Sequence, residues 1–179
     1  NNLDSYIRPS EGSSIRFYNT LSPVTDDNNG YVKNFLTFSK YYTINSNVIS
    51  SQTRLGNITS LQNKEISVDD KFSLGGRWLR GFDSYGVGPR ESRSSYVGGK
   101  SLFVTKLDFQ RPIFKNSDNP VDFDLFFDVG TVFDNKVDPS NSSESIRAST
   151  GFGLKFYSPI GPIGFSWGFP IAKEEYDIE

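Results

Sequence analysis

Apolar and polar side chains alternate along most of this chain with a period of two, the signature of strands with two unlike faces. The pattern is cleanest in the second half. Phe103, Thr105, Leu107 and Phe109 share a face opposite Lys106, Asp108 and Gln110. Val121, Phe123, Leu125, Phe127, Val129 and Phe133 face away from Asp122, Asp124, Asp128, Gly130 and Asp134. Ile146, Ala148, Phe152, Leu154 and Phe156 then oppose Arg147, Ser149, Gly151, Gly153 and Lys155, and Ile163, Phe165, Trp167, Phe169 and Ile171 oppose Gly164, Ser166, Gly168 and Pro170. Earlier, the spacing predicts strands from Ser13 to about Val24, from Tyr31 to Ile44 (with Lys40 out of phase) and from Val48 to about Thr59, the last with poor alternation. Turn residues separate them: Arg8-Pro9-Ser10-Glu11-Gly12, Asp26 to Gly30, Asn45 to Asn47, Pro112 to Pro120, Asn135 to Ser145 and Ser158 to Pro162. Some seven antiparallel strands result. Between the third and fourth lies a strand-free stretch from Leu61 to Tyr96.

Two all-β architectures accommodate this pattern. A soluble sandwich buries its apolar faces against each other, whereas a transmembrane barrel turns them to lipid and its charged faces to a lumen. Connection lengths favour the barrel, because short turns alternate with long polar loops. No run of 18 apolar residues exists, so a membrane-spanning helix is excluded, but strands escape that test. A mean hydropathy of -0.46 with 15% aromatic residues suits either architecture.

Composition narrows the chemistry. The chain has 179 residues, begins with Asn and has no signal peptide ahead of its first strand, so it reads as a piece of something longer. A net charge of -2 gives no electrostatic case for nucleic acid. Cys and His are both absent, which removes disulfides, thiolate metal sites and the Ser-His-Asp and Cys-His forms of catalysis. An enzyme is therefore not expected.

The long stretch carries the sequence's most unusual composition. Phe72-Ser73-Leu74-Gly75-Gly76-Arg77-Trp78-Leu79-Arg80-Gly81-Phe82 and the residues up to Arg90 set aromatic side chains among glycines and arginines. Loops longer than about 15 residues are usually functional or disordered. This one has the side chains of a loop that folds back and docks on a polar surface. Other candidate sites are weak. Asp122, Asp124 and Asp128 sit on one strand face with neighbours at i,i+2 roughly 6.6 Å apart, tempting as a glycosidase-like pair but more simply a polar wall. Gly99-Lys100-Ser101 resembles the end of a phosphate-binding loop, yet Ser94 stands where its first glycine belongs and no helix follows. The Asp26 to Gly30 cluster lacks calcium-loop spacing. Gly151-x-Gly153 lies on a strand, where it leaves room on the polar face for the docked stretch rather than cradling a dinucleotide.

Three blocks, in order, carry a resemblance. Leu79-Arg80-Gly81-Phe82, followed by Gly88-Pro89-Arg90, resembles the Val/Ile-Arg-Gly-Phe/Tyr loop signature of the BamA-like family of outer-membrane barrel-assembly proteins, in the bacterial surface antigen superfamily. Phe127-Asp128-Val129-Gly130-Thr131-Val132-Phe133-Asp134 is similar to its aromatic-Asp-x-Gly-Thr-Val strand, and Tyr157 to Ile163 with the following strand to its penultimate barrel strand. Leu79 departs mildly from the usual β-branched residue. The resemblance implies that residues 1–179 are the C-terminal portion of a 16-stranded transmembrane β-barrel. The N-terminal barrel half, the periplasmic POTRA domains and the last strand are then expected to lie outside this sequence.

It implies further that the long loop folds into the lumen, and that its arginine docks on carboxylates of neighbouring strands. Here those are Asp108 and Asp128, on the polar faces of adjacent strands. Arg80 offers five donors in a planar fork, Gly81 allows close backbone approach and Phe82 adds apolar contact. On the residues alone, three ordinary solvated charges on a loop and two strand faces are the preferred account; the resemblance turns the preference to the docked arginine. The implied function is folding and inserting barrel proteins into the outer membrane of a Gram-negative bacterium, with no cofactor. The implied partners are lipid, unfolded barrel clients and, through the parent, assembly-complex lipoproteins. A TamA-like or secretion-transporter barrel, or a passive pore, is the alternative.

Overall fold

A computed structural model of the chain describes residues 1–25, 29–62, 64–92, 95–114, 120–134, 145–158 and 161–179. One antiparallel sheet dominates it. Its strands are β1 (Asn2–Leu3), β2 (Gly12–Val24), β3 (Asn29–Ile44), β4 (Asn47–Ser60), β7 (Ser101–Phe114), β8 (Val121–Phe133), β9 (Arg147–Ser158) and β10 (Gly161–Ala172), paired in that order. A separate ribbon, β5 (Arg90–Ser92) with β6 (Ser95–Tyr96), lies inside the long insertion between β4 and β7. Because β4 and β7 are direct neighbours, the insertion leaves strand order untouched.

Local chemistry accounts for the hairpins. At Asn45 and Ser46 both φ angles are positive (48° and 67°), a two-residue turn whose twist matches the flanking strands. Ile44 pairs with Asn47 across it, and the β3–β4 register then runs unbroken to Tyr31 opposite Ser60.

The sheet has eight strands rather than some seven. The extra one is β1, whose two residues are too short to show periodicity. Nor is the long stretch free of strands, since β5 and β6 fall within it, along with a 3-10 turn at Val68–Asp70. Strand β7 runs through Pro112 to Phe114, past the expected start of a turn. The register with β8 shifts between Pro112 and Phe114, which accommodates a residue with no N–H to donate. The expected turns at 26–28, 115–119, 135–144 and 159–160 lie outside the described residues, as does Ser94.

Which face is buried decides between the two architectures. One face is left open, with Phe17 64%, Leu125 49%, Phe165 56% and Trp167 51% exposed. Aromatic rings stack across it, Phe152 lying 5.4 Å from Trp167 and 6.5 Å from Phe123 between ring centres. An apolar surface spanning a whole sheet far exceeds the few hundred Å² that soluble monomers expose. The other face carries Asp122, Asp124, Asp128 and Ser149, all buried, and the long insertion packs on its middle strands. The hydrophobic core lies on this polar side. Ile66, Phe72, Leu74, Leu79, Phe82 and Val87 of the insertion pack on Ile58, Leu102, Val104 and Val132 of β4, β7 and β8. No dry two-layer sandwich forms among the described residues.

Candidate functional site: the arginine clamp on the inner wall

Period-two geometry puts Lys106 and Asp108 of β7 on the inner face beside Asp124, Phe126 and Asp128 of β8, with Lys106 directly opposite Asp128. Arg80 descends onto this patch. Its Nε and Nη2 donate to the two carboxylate oxygens of Asp128 at 2.7 and 2.6 Å, and Nη1 donates to Asp108 Oδ1 at 2.8 Å. The Arg80 backbone N–H also donates to Asp128, at 3.1 Å. One guanidinium thus spans two strands, a forked geometry that an ammonium group cannot reproduce. Its Cζ lies 3.7 Å from the centre of the Phe126 ring, adding a cation–π contact in a desolvated setting. Burial works against the Arg80 charge, but the hydrogen bonds and negative charges of Asp128 and Asp108 outweigh it and raise the pKa above its ordinary value.

Asp124 belongs to the same patch without a direct share in the clamp. Its carboxylate stands 3.8 Å from Arg80 Nη1 and 3.7 Å from Lys155 Nζ. Arg80, Lys155 and Lys106, the last directly opposite Asp128, thus set three positive charges against the three carboxylates. Lys106 Nζ reaches across to donate to the Arg77 carbonyl at 2.7 Å, tying the loop one turn further back. Among the described residues, no set of three or more Asp, Glu, His or Cys side chains is placed to hold a metal ion.

The residues flanking Arg80 act through shape. Leu79 and Phe82 are buried in the core described above. Gly81 has a φ of 92°, which a side chain would strain, and it lies against the backbone of Gly168 on β10. A Cβ on Gly168 would stand 2.5 Å from the Gly81 nitrogen and 2.7 Å from the Arg80 carbonyl carbon. Gly168 is thus the seat for the loop. Gly151 and Gly153, expected to fill that role, instead make room for the Phe126 ring and the Asp124 carboxylate. Their contribution to docking is indirect, through the two β8 side chains beneath Arg80. Asp122 pairs elsewhere, its carboxylate taking both Arg8 Nε at 3.0 Å and Arg8 Nη2 at 2.5 Å. Lys100 is followed directly by β7 and pairs with Asp134 at 3.5 Å, so it begins a strand, not a phosphate loop.

A model of the Omp85 superfamily domain matches residues 1–179. The chain belongs to the Omp85 superfamily. Among its relatives, the outer membrane protein assembly factor BamA of Nitratidesulfovibrio vulgaris is 27% identical over 95% of this chain. A SAM50-like protein of Schizosaccharomyces pombe is 31% identical over 73% of it. The crystal structure of BamA from Haemophilus ducreyi lacking POTRA domains 1-3 superposes with a TM-score of 0.85 at 30% identity, over 99% of this chain. This Omp85 chain spans only 22%, 29% and 38% of those three proteins. Its eight strands correspond to the C-terminal part of the BamA barrel, so the apolar face is the lipid face and the clamp lies on the lumen wall.

Phe126, Gly168 and Lys155 are members of the site that strand periodicity did not single out. Phe126 leaves a signal in the sequence, being an aromatic on an otherwise acidic strand face. Gly168 leaves none, since Gly164 stands on the same face of the same strand.

Proposed function

We propose that this Omp85 chain is the C-terminal barrel portion of a longer outer-membrane assembly factor that folds and inserts β-barrel proteins without enzymatic chemistry. In a bilayer every strand edge must find hydrogen-bond partners, and a barrel with an opening seam offers them to an incoming strand. The part played by residues 1–179 is the lumen wall and the anchored inner loop. The observation that supports this most strongly is the Arg80 clamp on Asp108 and Asp128, buried on the wall of a sheet whose other face meets lipid. A loop pinned in this way is a fixed strut inside the lumen, beside β10, rather than a mobile surface segment. The cell envelope we assign is that of a Gram-negative bacterium, and the partners are lipid, unfolded barrel clients and assembly-complex lipoproteins reached through the rest of the parent.

Reconstitution tests the reading. The full-length parent in lipid vesicles is expected to accelerate folding of an unfolded barrel client, and its Arg80→Ala variant to do so poorly. Residues 1–179 alone are expected to be inactive. A parent that leaves client folding at the rate of empty vesicles would defeat the proposal.

A further inference from the structure

A second group of arginines on the lumen side has no carboxylate partner among the described residues. Arg16 of β2, Arg54 of β4 and Arg77 of the long loop converge on a cleft of about 540 Å³ that, among the described residues, neither Asp nor Glu lines. Arg54 rests against two rings, its Cζ 3.9 Å from the centre of Phe35 and 4.3 Å from that of Trp78. The Cζ of Arg77 lies 5.4 Å from the same Trp78 ring. The Arg54 Nε is buried and has no hydrogen-bond acceptor. Among the described residues none of these three arginines enters an ion pair, whereas Arg8, Arg80 and Arg147 are each gripped by an aspartate.

Such an arrangement is unfavourable as it stands. Like charges repel, and no carboxylate among the described residues offsets these three. We infer that the cleft is an oxyanion receptor, in which Arg54, Arg16 and Arg77 take a phosphate or carboxylate group of a bound ligand. An oxyanion would accept from the outward N–H groups and cancel the repulsion, and guanidinium forks match both groups bidentately. The size of the cleft favours a ligand with a body of its own. It falls within the roughly 300–1,000 Å³ of small-molecule sites, while one neighbouring carboxylate side chain would leave most of it empty.

Arginine-selective labelling tests this in the full-length protein held in detergent micelles. Phenylglyoxal modification of each arginine is followed by mass spectrometry, with inorganic phosphate or acetate added in separate series. One anion or the other is expected to slow modification of Arg16 and Arg77 saturably, by about tenfold at the plateau, and the effective one names the ligand group. Arg54→Gln is expected to abolish that protection while Lys71 and Arg90 stay resistant to trypsin, showing that the loop remains docked. Two results would overturn the inference: no saturable protection by either anion, or arginines already unreactive before any is added, which would mean that the rest of the barrel supplies the counter-charge.

Discussion

Replacing Arg80 by alanine removes three side-chain hydrogen bonds, to Asp128 at 2.7 and 2.6 Å and to Asp108 at 2.8 Å. It leaves Asp128, which is fully buried, with only the backbone N–H of residue 80 as hydrogen-bond donor and with Lys106 opposite as its remaining nearby cation. Breaking a buried pair by deleting one partner typically costs about 3–5 kcal/mol. Asp108 retains some exposure and Lys106 stands directly opposite Asp128, which places the cost near the lower end, about 3 kcal/mol. At 1.4 kcal/mol per decade, that raises the undocked population of the loop roughly 100-fold. Trypsin reads that population directly when reclosing outpaces cleavage. Lys71 and Arg90 are buried while the loop is docked and become cleavable when it lifts. Their cleavage is expected to accelerate by about two orders of magnitude in Arg80→Ala. Arg80→Lys should fall between, keeping the charge but losing the fork. Adding Asp128→Asn to Arg80→Ala should restore part of the protection by removing the stranded charge. Unchanged cleavage in Arg80→Ala would refute the reasoning, because the loop would then be held by its apolar residues alone.

Three other expectations follow from the same geometry. Gly168→Ala places a methyl group 2.5 Å from the Gly81 nitrogen and should loosen the loop by about 1–3 kcal/mol, visible in the same trypsin assay. Arg147 donates to both carboxylate oxygens of Asp177 at 2.8 and 3.0 Å, and both residues are buried. Asp177→Ala should therefore cost about 3–5 kcal/mol locally. It should also speed hydrogen exchange at the amides of Asp83 and Ile178, which bond across the loop–tail junction. Leu125→Arg, on the lipid face of β8, should lower folding stability in lipid vesicles by about 2–4 kcal/mol if the residue sits near the bilayer midplane, measured by urea titration.

The lipid and lumen faces were legible because a strand's side-chain period is two, and the acids of β7 and β8 share a face without any knowledge of register. That Asp108 and Asp128 stand within reach of one guanidinium was legible only through the family's loop signature. Pairing register and loop path are non-local, and alternation carries no information about either. The same limit hid Arg8 with Asp122, separated by 114 residues, and Arg147 with Asp177, whose tail has no periodicity. It also hid the seat at Gly168, because any glycine on the lumen face of β9 or β10 would have served equally well on pattern alone. Strand β1 escaped notice because two residues have no period, and the length of β7 because proline usually ends a strand.

The most direct test of the central claim is an experimental structure of the full-length protein in a lipid bilayer, read at the Arg80 guanidinium. Nε and Nη2 are expected on Asp128 and Nη1 on Asp108, each within about 3 Å as charged hydrogen bonds require. A guanidinium more than about 6 Å from both carboxylates, beyond the reach of any hydrogen bond, would contradict it.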